Sequence, residues 1–326
     1  METAIVNNIF SVTEDSFPHL AIEVFRFQYQ HNVVYHNWVN ALGIKVEKVN
    51  KLTDIPFLPV SLFKSHKVIT GFFDPEQVFE SSGTTGTVNS QHLVKDLSLY
   101  TKSFTLGFEL FYGNPAEWCI IGLLPAYLER KGSSLVKMVD ELIQLSGHES
   151  SGFYLYNFQE LAALLQMLES KGQKTLLIGV TFALLDFAEH FPMKLKNTVV
   201  METGGLKGRR KEMIREEIHG YLQERLGLSA IHSEYGMTEL LSQAYSYGEG
   251  IFTTVPWMKM LVRDEDDPLL VKENGKGLIN IIDLANLHSC SFIATDDAGM
   301  LQANGRFTVL GRSDNSDIRG CSLLYV

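Results

Sequence analysis

Apolar residues between positions 14 and 42 recur at helical spacing, as in Phe17, Ile22, Phe25, Phe27 and Val34, and predict two or more helices with buried stripes. Ile55-Pro56-Phe57-Leu58-Pro59-Val60 reads as an extended, proline-punctuated segment that enters Leu62-Phe63-Lys64. A short strand at Val78-Phe79-Glu80 and a helix from about Val94 to Phe111 follow. Short apolar runs then alternate with amphipathic stretches: Trp118 to Leu123, Leu161 to Leu168, Leu176 to Val180, Ala183 to Phe187 and Val199-Val200-Met201, before a charged helix from about Lys211 to Leu226. That alternation predicts an α/β fold with mostly parallel sheets flanked by helices. After position 240 the pattern turns β-rich, with Leu278 to Ile282, Ser291 to Ala294 and Arg306 to Leu310 separated by Gly, Asn and Asp turns. The expectation is one domain over 1–326, with an α/β part at 1–240 and a smaller β-rich part at 241–326.

Composition narrows the class. The chain has 326 residues, a formal net charge of -10 and 45% hydrophobic residues, an ordinary globular balance. The acidic balance argues against non-specific nucleic-acid binding. One basic cluster, Lys207-Gly208-Arg209-Arg210-Lys211, reads either as a local anion site or as the solvated first turn of a helix. No run approaches the ~18 apolar residues of a membrane span, and the N-terminus lacks a basic-then-apolar leader, so a cytoplasmic protein is expected. Cys119, Cys290 and Cys321 are widely separated and form no metal-binding spacing.

Candidate chemistry lies in five segments. Ser81-Ser82-Gly83-Thr84-Thr85-Gly86 alternates hydroxyls with glycines, which lets backbone N–H groups and hydroxyls approach a phosphate; the same run also suits a surface turn. It is not a Walker A loop, because Thr87-Val88 follows the last Gly. A helix N-terminus after it is expected near the anion. Glu202-Thr203-Gly204-Gly205, Tyr235-Gly236-Met237-Thr238-Glu239, Thr295-Asp296-Asp297-Ala298-Gly299 and Gly311-Arg312-Ser313-Asp314 are each read at a strand end. Ligands gather at the carboxyl ends of strands in such sheets. There an aromatic ring can stack on a base, Thr238 can donate to a phosphate, and Glu239 offers a hard oxygen to Mg2+. Asp297 accepts from ribose hydroxyls and Arg312 answers phosphate charge. Taken singly, each segment also reads as an ordinary turn or hairpin end.

In order and spacing these motifs resemble those of the acyl-adenylate-forming superfamily, and within it the acyl-protein synthetase (LuxE) family. The narrowing pieces are Ile55 to Val60 running into Phe63-Lys64, the string His232 to Glu239, and Arg319-Gly320-Cys321-Ser322-Leu323. The resemblance implies the fold of the large N-terminal domain of adenylate-forming enzymes. It also implies ATP and Mg2+ as cofactors and a carboxylic acid, by family a fatty acid, as substrate. Ser82, Thr84 and Thr85 would then hold the triphosphate, with Ser81, Gly83 and Gly86 completing the loop. Gly204 and Gly205 would lie at the adenine edge, and Tyr235 and Gly236 at its face. Thr238 would touch the α-phosphate, Glu239 would hold Mg2+, and Asp297 and Arg312 would bind the ribose. Cys321 would accept the acyl group as a thioester for a reductase or another acceptor protein.

Three departures stand out. Val88-Asn89 replaces the usual Pro-Lys after the loop, Asp296 replaces a Gly, and the chain stops where a C-terminal lid of ~100 residues is expected, about the size of a small domain. Two other outcomes stay open: a ligase that passes the acyl group to CoA, a carrier protein or an amine, and a lidless pseudo-enzyme that only binds nucleotide. His232 is read either as orienting the carboxylate or as a satisfied strand-end His, and Cys119 and Cys290 as core. Phe153, Tyr154 and Tyr156 are read either as lining an acyl pocket or as packing.

Overall fold

A computed structural model describes residues 2–81, 88–124, 132–155, 157–204 and 213–312. Its N-terminal stripes become three helices, α1 (Glu2–Ile9), α2 (Phe17–His31) and α3 (Val33–Ala41). Phe17, Leu20, Ala21, Val24, Phe25 and Gln28 bury one face of α2, as the 3.6-residue period requires. Asn32 ends α2 and starts α3, its side chain accepting from the Tyr35 N–H at 3.0 Å. The proline-punctuated segment follows as the short strand β1 (Leu58–Pro59), and then a one-turn helix, α4 (Leu62–Ser65).

The next elements are a hairpin, β2 (Gln77–Glu80) with β3 (Gln91–Val94), and the long helix α5 (Leu97–Tyr112). This corrects the expected helix start at Val94. Residues 91–94 are a strand, and the Ser81–Gly86 motif therefore joins two strands rather than a strand and a helix. The α5 N-terminus is also not open to an anion: the Asp96 carboxylate caps it, accepting from the Ser98 N–H at 2.8 Å.

The chain then alternates through β4 (Cys119–Leu123), α6 (Ser134–Ser146), β5 (Gly152–Phe153), α7 (Phe158–Ser170), β6 (Thr175–Val180), α8 (Thr181–His190), β7 (Thr198–Thr203), α9 (Arg215–Leu226) and β8 (His232–Tyr235). These five strands are parallel in the order β5-β4-β6-β7-β8. Every residue of β4 and β6 is buried, which is why these strands read as continuous apolar runs without alternation. Helix α6 packs on β4, and α8 packs on β6, β7 and α9.

From β9 (Ala244–Ser246) onward the strands pair with one another, and β9 with β8, in antiparallel fashion: β10 (Ile251–Thr254), β11 (Met258–Arg263), β12 (Val271–Lys272), β13 (Gly275–Asp283), β14 (Phe292–Leu301) and β15 (Phe307–Arg312). Together with β1, which runs parallel to β14, all of these belong to one mixed sheet, continuous from β12 to β5 among the described residues. The N-terminal helices cover the antiparallel half. Phe25, Tyr35 and Phe57 surround the fully buried Phe292 ring, and buried Gln28 donates to the Leu287 carbonyl at 2.8 Å. Burying a side chain of this size stabilises the fold by about 1.5–3 kcal/mol. No helix among the described residues is long and apolar enough to cross a membrane.

Candidate functional site

The parallel half supplies two adjacent strand ends. Thr203 of β7 pairs with Glu234 of β8, so Gly204 and Tyr235 emerge side by side at the carboxyl edge. Gly204 takes a left-handed φ of 68°, and its carbonyl accepts the Thr181 hydroxyl at 2.7 Å. The same hydroxyl lies 2.9 Å from Oε2 of the buried Glu202. Burial pushes the Glu202 pKa up, but His219, Arg215 and Ser233 outweigh it and hold the carboxyl below its usual range. Glu234 has the opposite fate. It is buried, receives the Thr203 hydroxyl in compensation among the described residues, and lies near the Glu202 charge, so its pKa rises to about 7. Gly236 is glycine for want of space: a Cβ there would overlap Glu234 Oε1.

The antiparallel half brings the next group across. Asp297 and Arg312 are direct cross-strand partners on β14 and β15. The Arg312 Nε donates to Asp297 Oδ1 at 3.1 Å, and the Tyr235 hydroxyl donates to Asp297 Oδ2 at 2.8 Å. Asp297 is 6% exposed and Arg312 8%, so the pair is shielded from water. Phe252 and Phe307 flank the Tyr235 ring edge-on. Tyr235, Asp297 and Arg312 thus converge as the sequence suggested, but by another route. Thr295 to Gly299 is not a strand end: it runs through the ten-residue β14, whose register against β15 shifts between Ala298 and Gly299. The extra negative charge of Asp296 is answered by Arg263, whose guanidinium donates to the Thr295 carbonyl at 2.6 Å and interacts electrostatically with Asp296 and Asp297.

Thr238 and Glu239 lie in the loop between β8 and β9, and three buried side chains that sequence reading missed hold that loop. His92 of β3 places Nδ1 2.8 Å from the Thr238 carbonyl and Nε2 3.0 Å from Asn286 Oδ1. Asn286 donates from Nδ2 to the Glu239 carbonyl at 2.7 Å. With the Asn286 amide oriented by that bond, both ring nitrogens of His92 face oxygen acceptors. Burial lowers the His92 pKa, and its two hydrogen-bond partners and the Glu239 charge work against burial. Asp283 accepts from the Leu241 and Ser242 N–H groups at 2.8 and 3.1 Å and from the Ser242 hydroxyl at 2.6 Å. Burial pushes its pKa up to about 6 in spite of those donors. The Glu239 side chain is fully buried. A hard cation at Glu239 fits the donor chemistry, because one carboxylate with phosphate oxygens is an ordinary Mg2+ set. Among the described residues no group of three or more His, Cys, Asp or Glu forms a cage that would favour another metal.

The remaining candidates separate. Ser81 is buried, and its Oγ accepts the Ser90 N–H at 2.9 Å, which closes the base of the motif between β2 and β3. Ser82, Gly83, Thr84, Thr85, Gly86, Gly205 and Cys321 lie outside the described residues, as do Tyr156 and the basic cluster 207–211. His232 begins β8 at the end away from Tyr235, and its Nδ1 lies 3.2 Å from the Tyr112 hydroxyl, the arrangement of a satisfied strand-end His. Cys119 and Cys290 are buried, and burial pushes their thiols up to about 11 and about 12. Phe153 and Tyr154 pack against the core.

Solved structures share this architecture at low identity. MatB from Rhodopseudomonas palustris, with ATP bound, is 16% identical with a TM-score of 0.55, the match covering 72% of this chain and 47% of MatB. The 2-hydroxyisobutyryl-CoA ligase in its postadenylation state is 11% identical with a TM-score of 0.59, over 98% of this chain and 72% of that one. O-succinylbenzoate coenzyme A synthetase (MenE) from Bacillus subtilis, in complex with AMP, is 15% identical with a TM-score of 0.51, over 73% of this chain and 49% of that one. The fold is therefore that of the N-terminal domain of adenylate-forming enzymes. The chain spans about half the length of MatB and MenE. The model of the acyl-protein synthetase LuxE family matches residues 11–325, and the chain belongs to that family. The search of curated proteins found no match.

Proposed function

We propose that the chain activates a carboxylic acid by adenylation. The observation that carries this reading is the convergence of Tyr235, Asp297 and Arg312 beside the loop bearing Thr238 and Glu239, in a member of the LuxE family. The substrate carboxylate oxygen bonds to the α-phosphorus of ATP, the bond from that phosphorus to the bridging oxygen breaks, and pyrophosphate leaves with its electron pair. Tyr235 stacks on the adenine, Asp297 takes the ribose hydroxyls, and Arg312 offsets phosphate charge. Thr238 donates to the α-phosphate. Glu239 holds Mg2+, which neutralises charge on the phosphates when bound, and the Ser82 to Gly86 loop cradles the triphosphate. Because Glu239 is covered, loading requires a displacement of its surroundings.

In the second step the Cys321 thiolate attacks the acyl carbon, the new C–S bond replaces the bond to AMP, and AMP leaves. The thiol proton passes to solvent. The acyl group, from a fatty acid on this reading, then goes to a reductase or another acceptor protein in the cytoplasm.

Carboxylate-dependent ATP–pyrophosphate exchange with Mg2+, run over fatty, aromatic, short-chain and amino acids, tests the first step. Exchange with one class identifies the substrate. Bound ATP without exchange for any acid overturns adenylation by this chain. Cys321→Ser tests the second step: exchange persists and the covalent acyl-protein disappears. A thioester that survives the substitution removes Cys321 from the reaction.

A further inference from the structure

We propose that His92 and Asn286 are positioning residues, a clamp that fixes the backbone of Thr238 and Glu239 and ties it to the hairpin carrying the Ser81–Gly86 motif. Its functional meaning rests on the adenylation reading, while the clamp is a set of contacts within the fold. His92 lies in β3, the second strand of that hairpin, and is 1% exposed. Its ring reaches the Thr238 carbonyl with one nitrogen and Asn286 with the other. Asn286 stands in the short turn after β13, is fully buried, and passes the connection on to the Glu239 carbonyl. The two consecutive carbonyls of the loop are therefore each held by a buried side chain from a different part of the chain.

A side chain that touches backbone, and not substrate, acts through what that backbone carries. Here the two residues held are the ones assigned to the α-phosphate and to Mg2+. The Phe63 ring meets His92 edge-on at 6.1 Å between centroids, which fixes the imidazole plane against the clamp. Phosphoryl-type chemistry depends on placement, and a misplacement of about 1 Å costs about a hundredfold in rate. The clamp also joins the β2–β3 hairpin to the Thr238–Glu239 loop through a direct contact.

The test compares the full chain with His92→Ala, His92→Asn and Asn286→Ala by amide hydrogen exchange and by pyrophosphate exchange. Asn at 92 keeps an amide donor close to the Nδ1 position. The expected result is amide exchange over residues 236–243 at least about fivefold faster in both Ala variants. The turnover of pyrophosphate exchange at saturating ATP then falls about ten- to a hundredfold, with the KM for ATP changed much less and with recovery in His92→Asn. Unchanged amide exchange in the loop overturns the clamp, whatever the activity. A loosened loop with unchanged turnover overturns its positioning role. Loss of turnover that His92→Asn does not relieve, and that follows melting temperature across the variants, reduces His92 to a structural residue. If the parent chain exchanges with no acid, the adenylation reading fails and takes the positioning role with it, whereas the amide data still decide whether the loop is clamped.

Discussion

The β14–β15 pair and the loop after β8 both deliver side chains to the same place, and they are held in different ways. Asp297 and Arg312 are set by ladder register: once the strands pair, these residues face one another and close an ion pair. Thr238 and Glu239 have no such ladder. Their loop is held by His92 of β3 and by Asp283 and Asn286 at and just after the end of β13, buried polar groups from two other places in the chain. A strand pair inherits its precision from many repeated hydrogen bonds, while a loop must have its orphan N–H and C=O groups satisfied one at a time. The loop is therefore the more sensitive to single substitutions.

The largest effect follows from removing the anchor with most bonds. Asp283→Ala leaves the Leu241, Ser242 and Ala285 N–H groups and the Ser242 hydroxyl without their carboxylate acceptor in a fully buried site, and it should cost about 4 kcal/mol in urea unfolding. A cost below about 1 kcal/mol would break the comparison, because the loop would then hold itself. Arg312→Ala tests the ladder side. It removes the ion-pair partner of the shielded Asp297 carboxylate, leaving it the Tyr235 hydroxyl, and should cost about 3 kcal/mol, with pyrophosphate exchange lost under the proposed reading. An effect larger than that of Asp283→Ala would invert the ranking.

The parallel half gives a third contrast, through pH. Glu234 has a folded pKa of about 7 against an ordinary 4.5. Between those values the folded chain keeps a proton that the unfolded chain has released, so stability falls as pH rises through this window and the penalty is complete above pH 7. Glu234→Gln keeps an acceptor for Thr203 and removes the charge. Measured by denaturant at pH 8 and at pH 4.5, the variant should gain about 2 kcal/mol relative to the parent at the higher pH. A pH-independent difference would show that burial does not hold the proton on Glu234.

How far the chain could be read in advance follows the same division. Residue types single out Tyr235, Asp297 and Arg312, since each carries chemistry in its own side chain, and the structure brings these three into contact. The strand through Asp297 was hidden because Thr-Asp-Asp-Ala-Gly has turn composition, and tertiary pairing overrides that propensity. Likewise Val94 reads as the start of the helix that follows and Gln91-His92-Leu93 as no element of its own, because a four-residue strand has too few periods to stand apart. His92, Asp283, Asn286 and Arg263 were illegible for another reason. Their roles exist only in contacts across the fold: 146 residues separate His92 from Thr238, and 194 separate it from Asn286. Nothing local in the sequence marks such residues.

The smallest expected effect joins the two regions. Tyr235 ends β8, yet its hydroxyl reaches Asp297 on β14, so one hydrogen bond spans the parallel and antiparallel halves at 2.8 Å. Tyr235→Phe keeps the ring against Phe252 and Phe307 and removes the hydroxyl, with its bond to Asp297 and its weak contact to Met237 Sδ. Arg312 still neutralises the carboxylate, which limits the stability loss to about 1 kcal/mol by urea unfolding. If the phenol serves only to aim Asp297, nucleotide affinity falls several-fold while the stacking face is unchanged. A loss as large as that of Arg312→Ala would mean that the ladder alone does not place Asp297, and that the strand side of the comparison depends, as the loop side does, on a contact from outside its own element.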